Sequence, residues 1–155
     1  MKKWLGVLVV LMVVVLLNSN AFAKMSVSAF LQTDWPVAKA SGNLPKIDFD
    51  VLPDTERLIN PVMTMGIIYN EDLGKAVPKL GIGALISYKK FFLQGTANML
   101  IGGEYLPDVG HGIVAQVDLG YKVYKAFDIR IAHMSSIADS DDGGLNFIGV
   151  GFTFD

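Results

Sequence analysis

Apolar and polar side chains alternate in eight segments of this 155-residue chain, and this pattern constrains the fold more than any other feature. A two-residue period places successive side chains on opposite faces of a β-strand. In 112–124, Val117 and Leu119 share one face, while Gln116 and Asp118 share the other. The pattern predicts strands near 25–33, 45–52, 61–70, 79–89, 91–101, 112–124, 127–136 and 145–154.

The distribution of side chains between the two faces favours a membrane barrel over a soluble one. The polar faces are sparse, and aromatic residues gather near the segment ends, as in an interfacial girdle. These residues are Tyr88, Phe91, Tyr121, Tyr124 and Phe127. We therefore predict an all-β fold, an eight-stranded antiparallel transmembrane β-barrel of outer-membrane type. The alternative is a soluble barrel of lipocalin type, which would turn its apolar side chains inward.

The lengths of the links between the segments agree with this topology. Two links are short, at Lys89-Lys90 and Lys125-Ala126, whereas those at 34–44, 71–78, 102–111 and 137–144 are longer. Outer-membrane barrels have short periplasmic turns and longer extracellular loops. An interior of eight strands is only wide enough for side chains, so a diffusion pore is not expected.

The amino-terminal segment predicts export. Lys2 and Lys3 precede an apolar run at 4–17, and Ala21-Phe22-Ala23 matches a cleavage site for a secretory signal peptide. The run of about 14 residues is short for a membrane helix, which needs roughly 20. We predict a signal peptide over 1–23, a barrel domain over 24–155, and integral location in the bacterial outer membrane. A net charge of −2 gives no indication of nucleic-acid binding.

Three polar residues are predicted on the lipid side of the last two strands. Alternation places His133 and Ser135 beside Ile129 and Ile131, and it places Asn146 on the outer face of the eighth strand. A hairpin symmetric about residues 140 and 141 would set Asn146 opposite Ser135 and diagonal to His133. A histidine beside a serine can activate its hydroxyl as a nucleophile if a third group orients the ring. The other interpretation is that these residues only hydrogen-bond to lipid headgroups.

The same residues carry a resemblance to a known family. The stretch "RIAHMSS" (130–136), a seven-residue loop (137–143) and "GLNFIGVGFTF" (144–154) resemble the carboxy-terminal hairpin of the outer-membrane lipid A 3-O-deacylases, also described as acyloxyacyl hydrolases. Arg130, His133, Ser135, Gly144 and Asn146 fall on the family pattern. The specific likeness covers about the last 26 residues.

The resemblance implies hydrolysis of the ester-linked 3-hydroxyacyl chain at the 3 position of lipid A. Ser135 would attack, His133 would act as base and then acid, and Asn146 would orient the imidazole, while Ser136 and Arg130 would support the site. Ser136 stands where the family has Asn, Ile137 where it has Ala, and Asn146 where characterised members have a carboxylate. The loop acids that could replace that carboxylate are Asp139, Asp141 and Asp142.

No cofactor or metal is expected, and the predicted partners are lipid A, as part of lipopolysaccharide, and other outer-membrane lipids. The two histidines, His111 and His133, lie in different parts of the chain, and Glu104 and His111 are expected to be loop residues. Alternation predicts that the side chains of Asp128 and Arg130 point into the lumen. We expect Gln116, Asp118 and Lys122 to form hydrogen bonds and ion pairs with them there. The alternative is that the protein is a small non-catalytic outer-membrane barrel, either a structural protein or a family member that has lost its activity.

Overall fold

The computed structural model describes residues 22–33, 44–53, 57–70, 74–102, 112–137 and 143–154. Those residues form eight β-strands: β1 (Phe22–Thr33), β2 (Lys46–Pro53), β3 (Ile59–Asn70), β4 (Lys75–Tyr88), β5 (Phe91–Leu100), β6 (Ile113–Lys122), β7 (Phe127–Ser136) and β8 (Leu145–Phe154). No helix long and apolar enough to cross a membrane occurs in these ranges. The eight predicted strands are confirmed.

The strands close into one antiparallel barrel. Each strand pairs with its neighbours in sequence, and β1 pairs with β8 along Met25–Thr33. This confirms the predicted fold class. The predicted signal peptide lies outside the described residues except for Phe22 and Ala23, which begin β1.

One link is shorter than the sequence predicts. The loop expected over 71–78 includes Pro78, which cannot donate a hydrogen bond to a strand ladder. In the structure β4 already begins at Lys75, and Pro78 lies opposite Ile67 of β3. The carbonyl of Pro78 accepts a hydrogen bond of 2.8 Å from the backbone N–H of Ile101. The proline therefore takes part in the sheet as an acceptor, and the β3–β4 link spans only 71–74.

The two faces of the barrel wall differ as the alternation predicted for a membrane barrel. Apolar side chains on the outer face are exposed, for example Ile82 at 60% and Leu31 at 66%. Buried polar and charged side chains fill the lumen, including Asp48, Lys79, Gln116 and Arg130. A soluble lipocalin-type barrel would have the opposite arrangement.

The lumen has an apolar end and a polar end. We call the apolar cluster at the end of the longer links the plug; its members are Phe30, Leu44, Ile68, Val77, Leu100, Val114, Ala132, Met134, Leu145 and Phe147. Ile68, Val114, Met134 and Leu145 have no exposed surface. Toward the short turns, ion pairs replace apolar contacts: Asp48 bridges Lys46 at 3.1 Å and Lys79 at 3.0 Å. A cavity of about 430 Å³ lies at the turn end.

Candidate active site

His133 and Asn146 form a hydrogen bond on the outer face of the barrel. They are direct cross-strand partners in β7 and β8, and His133 Nδ1 lies 2.8 Å from Asn146 Oδ1. Both side chains are outward because their neighbours in sequence, Met134 and Phe147, are buried in the plug. The predicted register is wrong by two residues, since Asn146 faces His133 and not Ser135.

This hydrogen bond selects one protonation pattern of the imidazole. The amide oxygen of Asn146 can only accept, so Nδ1 of His133 carries the proton and donates it. In the neutral ring Nε2 then has a free lone pair. A histidine held in this tautomer is suited to accept a proton at Nε2, as in nucleophilic hydrolases.

Gly144 provides the surface against which the imidazole ring packs. A Cβ atom built on Gly144 would lie 2.9 Å from His133 Nε2, 2.8 Å from His133 Cε1 and 2.7 Å from the carbonyl oxygen of Met134. The glycine also has a φ of 72°, a conformation that side chains disfavour. Gly144 lies on the family pattern, but sequence reasoning assigned it no role. Its close contact with the ring makes it a positioning residue.

Ser135 lies on the same face as His133 but is not hydrogen-bonded to it in the described structure. The pairing of β6 with β7 is regular here, with Val117 opposite His133 and Ala115 opposite Ser135. No bulge shortens the separation of the two residues along β7, which is two rises of about 3.3 Å. The β7–β8 pairing ends at Met134 and Leu145, so Ser135 and Gly144 each lie one residue past the last pair. His133 Nε2, which lies next to Gly144, is therefore at the same end of the site as Ser135.

An apolar groove of about 230 Å³ runs beside the imidazole on the outer surface. Its outward-facing walls are Val117, Leu119 and Ile131, and His133, Asn146 and Thr33 line it as well. Thr33 is the partner of Asn146 across the β1–β8 pair. Sequence reasoning missed Thr33, because only closure of the barrel brings the end of β1 beside β8. The groove therefore combines apolar walls with three polar side chains.

Arg130 and Ser136 lie on the other side of the barrel wall. Arg130 is buried in the lumen, where Nε is 2.6 Å from Asp128 Oδ1, Nη1 is 3.1 Å from Asp50 Oδ2 and Nη2 donates to Ser26 Oγ at 2.7 Å. Its lumen position confirms the alternation, although the partners differ from those expected. Ser136 is six residues after Arg130 in the same strand, so its side chain is on the same inner face, and its cross-strand partner is the buried Val114. Neither side chain is on the face that carries His133.

The remaining candidates fall outside the part of the chain that the structure describes: Glu104, His111, Asp139, Asp141 and Asp142. Within the described ranges, no three His, Asp or Glu side chains are grouped so that they could hold a metal ion. The site built from described residues is thus His133, Asn146, Gly144, Ser135 and Thr33.

No protein-family model matches the chain, and a search of curated proteins finds no significant match. Among solved structures, the outer membrane protein Ail of Yersinia pestis, determined in a phospholipid bilayer nanodisc, has a similar fold. The TM-score is 0.52 at 12% sequence identity, and the alignment covers 87% of this chain and 100% of the Ail chain. This likeness shows the fold alone: an eight-stranded barrel of outer-membrane type.

Proposed function

We propose that this protein is an outer-membrane serine esterase that hydrolyses the ester-linked 3-hydroxyacyl chain at the 3 position of lipid A. The observation that carries the proposal is the 2.8 Å hydrogen bond between His133 Nδ1 and Asn146 Oδ1 on the outer face of the barrel. A buried or lumen-facing histidine would have no access to a lipid. The sequence resemblance of the β7–β8 hairpin supplies the substrate class.

In the proposed reaction, His133 Nε2 takes the proton of Ser135 Oγ as this oxygen attacks the ester carbonyl of the acyl chain. The bond between the carbonyl carbon and the sugar oxygen breaks, and the protonated imidazole gives its proton to that departing oxygen, which leaves as the sugar hydroxyl. Water, activated by the same nitrogen, then releases the 3-hydroxy fatty acid from Ser135. Asn146 holds the ring throughout, because its amide oxygen accepts the Nδ1 proton.

The environment of His133 fits this substrate. The groove beside the ring has walls of Val117, Leu119 and Ile131, which can contact an acyl chain. His133 is near the long-link end of β7, which faces the outer leaflet when the short turns face the periplasm. For the reaction, the Ser135 hydroxyl must turn toward Nε2 across the space above Gly144. Hydrogen bonds of catalytic groups often form only when the substrate is bound.

The test is mass spectrometry of lipid A from cells that make the wild-type protein, Ser135→Ala or the control Ser87→Ala. Ser87 is a serine of β4 at the turn end of the lumen. The proposal expects loss of one 3-hydroxyacyl mass with the wild type and Ser87→Ala, and intact lipid A with Ser135→Ala. Intact lipid A in all three strains, with each barrel folded in the outer membrane, would favour the non-catalytic barrel.

A further inference from the structure

A basic and aromatic patch lies at the turn end of the barrel, away from the candidate active site. It consists of Tyr88, Lys89, Lys90, Phe91 and Tyr121. Tyr88 faces Phe91 across β4 and β5, and Phe91 faces Tyr121 across β5 and β6. The three rings therefore form one row across three strands on the outer face, with Tyr88 64%, Phe91 58% and Tyr121 38% exposed.

The two lysines of the patch lie against this aromatic row. Lys89 Nζ is 5.3 Å from the centre of the Tyr88 ring, and Lys90 Nζ is 5.8 Å from the centre of the Tyr121 ring. Phe91 packs edge-on against Tyr121 with ring centres 5.0 Å apart. A backbone hydrogen bond of 2.7 Å from Lys122 N–H to the Lys90 carbonyl joins the β4–β5 turn to β6. The cations are thus held at the edge of a rigid row of rings.

No carboxylate balances this charge within the two turns. The β4–β5 turn is Lys89-Lys90, and the β6–β7 turn at 123–126 contains Lys125 and no acid. The carboxylate next in sequence, Asp128, is turned inward and is bonded to Arg130. Within these two turns the charged side chains are therefore all positive, and they lie beside exposed rings.

Lys89 occupies a backbone conformation that does not favour lysine. Its φ is 54°, and it is the one described non-glycine residue with a positive φ. Two-residue hairpin turns prefer glycine or asparagine at such positions, because other side chains are strained there. Backbone strain of this kind is associated with functional positions. A lysine at the tip of this turn therefore carries a cost to folding.

We propose that the patch binds the headgroup of an anionic phospholipid in the periplasmic leaflet of the outer membrane. Short turns of outer-membrane barrels face the periplasm, and exposed aromatic rings lie at the depth of the headgroups. Lys89 and Lys90 contact the lipid phosphate, whose charge is not compensated by an ammonium group in the headgroup, while the row of rings packs against the glycerol backbone and upper acyl chains. The inference depends on the fold and is independent of any esterase activity.

The test is native mass spectrometry of the full-length barrel, released from detergent that contains equal amounts of phosphatidylethanolamine and phosphatidylglycerol. The wild type should retain phosphatidylglycerol preferentially. In the double variant Lys89→Gly, Lys90→Gln, the ratio of bound phosphatidylglycerol to bound phosphatidylethanolamine should fall by roughly 25-fold. Each lysine near an anionic surface contributes a factor of about five. Lys75→Gln, a lysine at the opposite end of β4, should behave as the wild type.

Two further measurements distinguish a phospholipid site from a site for small anions and from a purely structural role of Lys89. Lys89→Gly alone should raise the urea midpoint of unfolding in neutral detergent, because it relieves the positive φ, while it weakens lipid retention. Excess inorganic phosphate should leave the bound phosphatidylglycerol in place. Displacement by phosphate would identify a site for small anions and overturn the proposal, as would an unchanged lipid preference in the double variant.

Discussion

His133 donates its Nδ1 proton to Asn146 Oδ1 across the β7–β8 pair, and Asn146 is at the same time the cross-strand partner of Thr33 in β1. The histidine is therefore oriented by a residue of the last strand, next to the seam where that strand meets the first. Closure of the barrel and orientation of the imidazole depend on the same strand.

Replacement of Asn146 tests the orienting hydrogen bond. Asn146→Leu removes the acceptor of the Nδ1 proton, so the lone pair of His133 is no longer confined to Nε2. We expect release of 3-hydroxy fatty acid from lipid A in mixed micelles to fall by about 100-fold or more. Asn146→Asp retains the acceptor and adds a charge that stabilises the imidazolium, so its turnover should equal or exceed that of the wild type. Unchanged turnover in Asn146→Leu would contradict the role of Asn146.

Substitution of Gly144 should affect both stability and the imidazole. In Gly144→Ala the new methyl group would meet the Met134 carbonyl oxygen and the His133 ring, at a φ of 72°. We expect a loss of about 1–3 kcal/mol in the free energy of unfolding and a shifted imidazole resonance in the NMR spectrum. Gly143→Ala is the matched control, because a Cβ at Gly143 has no neighbour within 4 Å. Equal effects of the two substitutions would contradict the packing of the ring on Gly144.

Arg130 joins β7 to β1 and β2 across the lumen, through Ser26 and Asp50. Arg130→Met leaves the carboxylates of Asp50 and Asp128 buried without their cation, which should cost about 3–5 kcal/mol. The change in the free energy of unfolding can be measured by urea titration. The folded fraction is monitored by the difference in gel mobility between the folded and the heat-denatured barrel. Arg57→Met, at an exposed position, should lie within about 0.5 kcal/mol of the wild type. Adding Asp128→Asn to Arg130→Met should recover part of the loss, and failure to do so would show that Asp128 is not the unpaired charge.

The contact between Gly120 and Phe92 can be tested with a double-mutant cycle. A methyl group on Gly120 would overlap the tip of the Phe92 ring in the lumen. Gly120→Ala should therefore destabilise the barrel by about 1–3 kcal/mol, and Phe92→Leu in the same chain should restore part of that stability. Gly95→Ala, where an added Cβ meets open space, is the control. Additive effects of the two substitutions would mean that the ring and the glycine are not coupled.

Local sequence patterns were sufficient for the strands and their faces. The two-residue period is visible within each segment, so the outward positions of His133 and Ser135 and the inward position of Arg130 followed from Ile129 and Ile131 alone. Gly144, with its positive φ at the start of β8, belongs to a connection that is not symmetric about residues 140 and 141. The predicted register of Asn146 was therefore displaced by two residues.

Contacts between distant parts of the chain could not be predicted in the same way. Arg130 reaches Asp50 and Ser26, which are 80 and 104 residues away in sequence, across the lumen. Thr33 comes beside Asn146 only because β1 and β8 close the barrel. Alternation determines on which face a side chain lies, but it does not determine which side chains meet there.

The plug limits what could pass through the barrel. Phe30, Ile68, Met134 and Phe147 are buried at the long-link end of the lumen. A hydrated solute that enters from the turn end meets this apolar cluster and would have to shed its water to go further. Among the described residues, the lumen therefore offers an ion or a nutrient no continuous aqueous path.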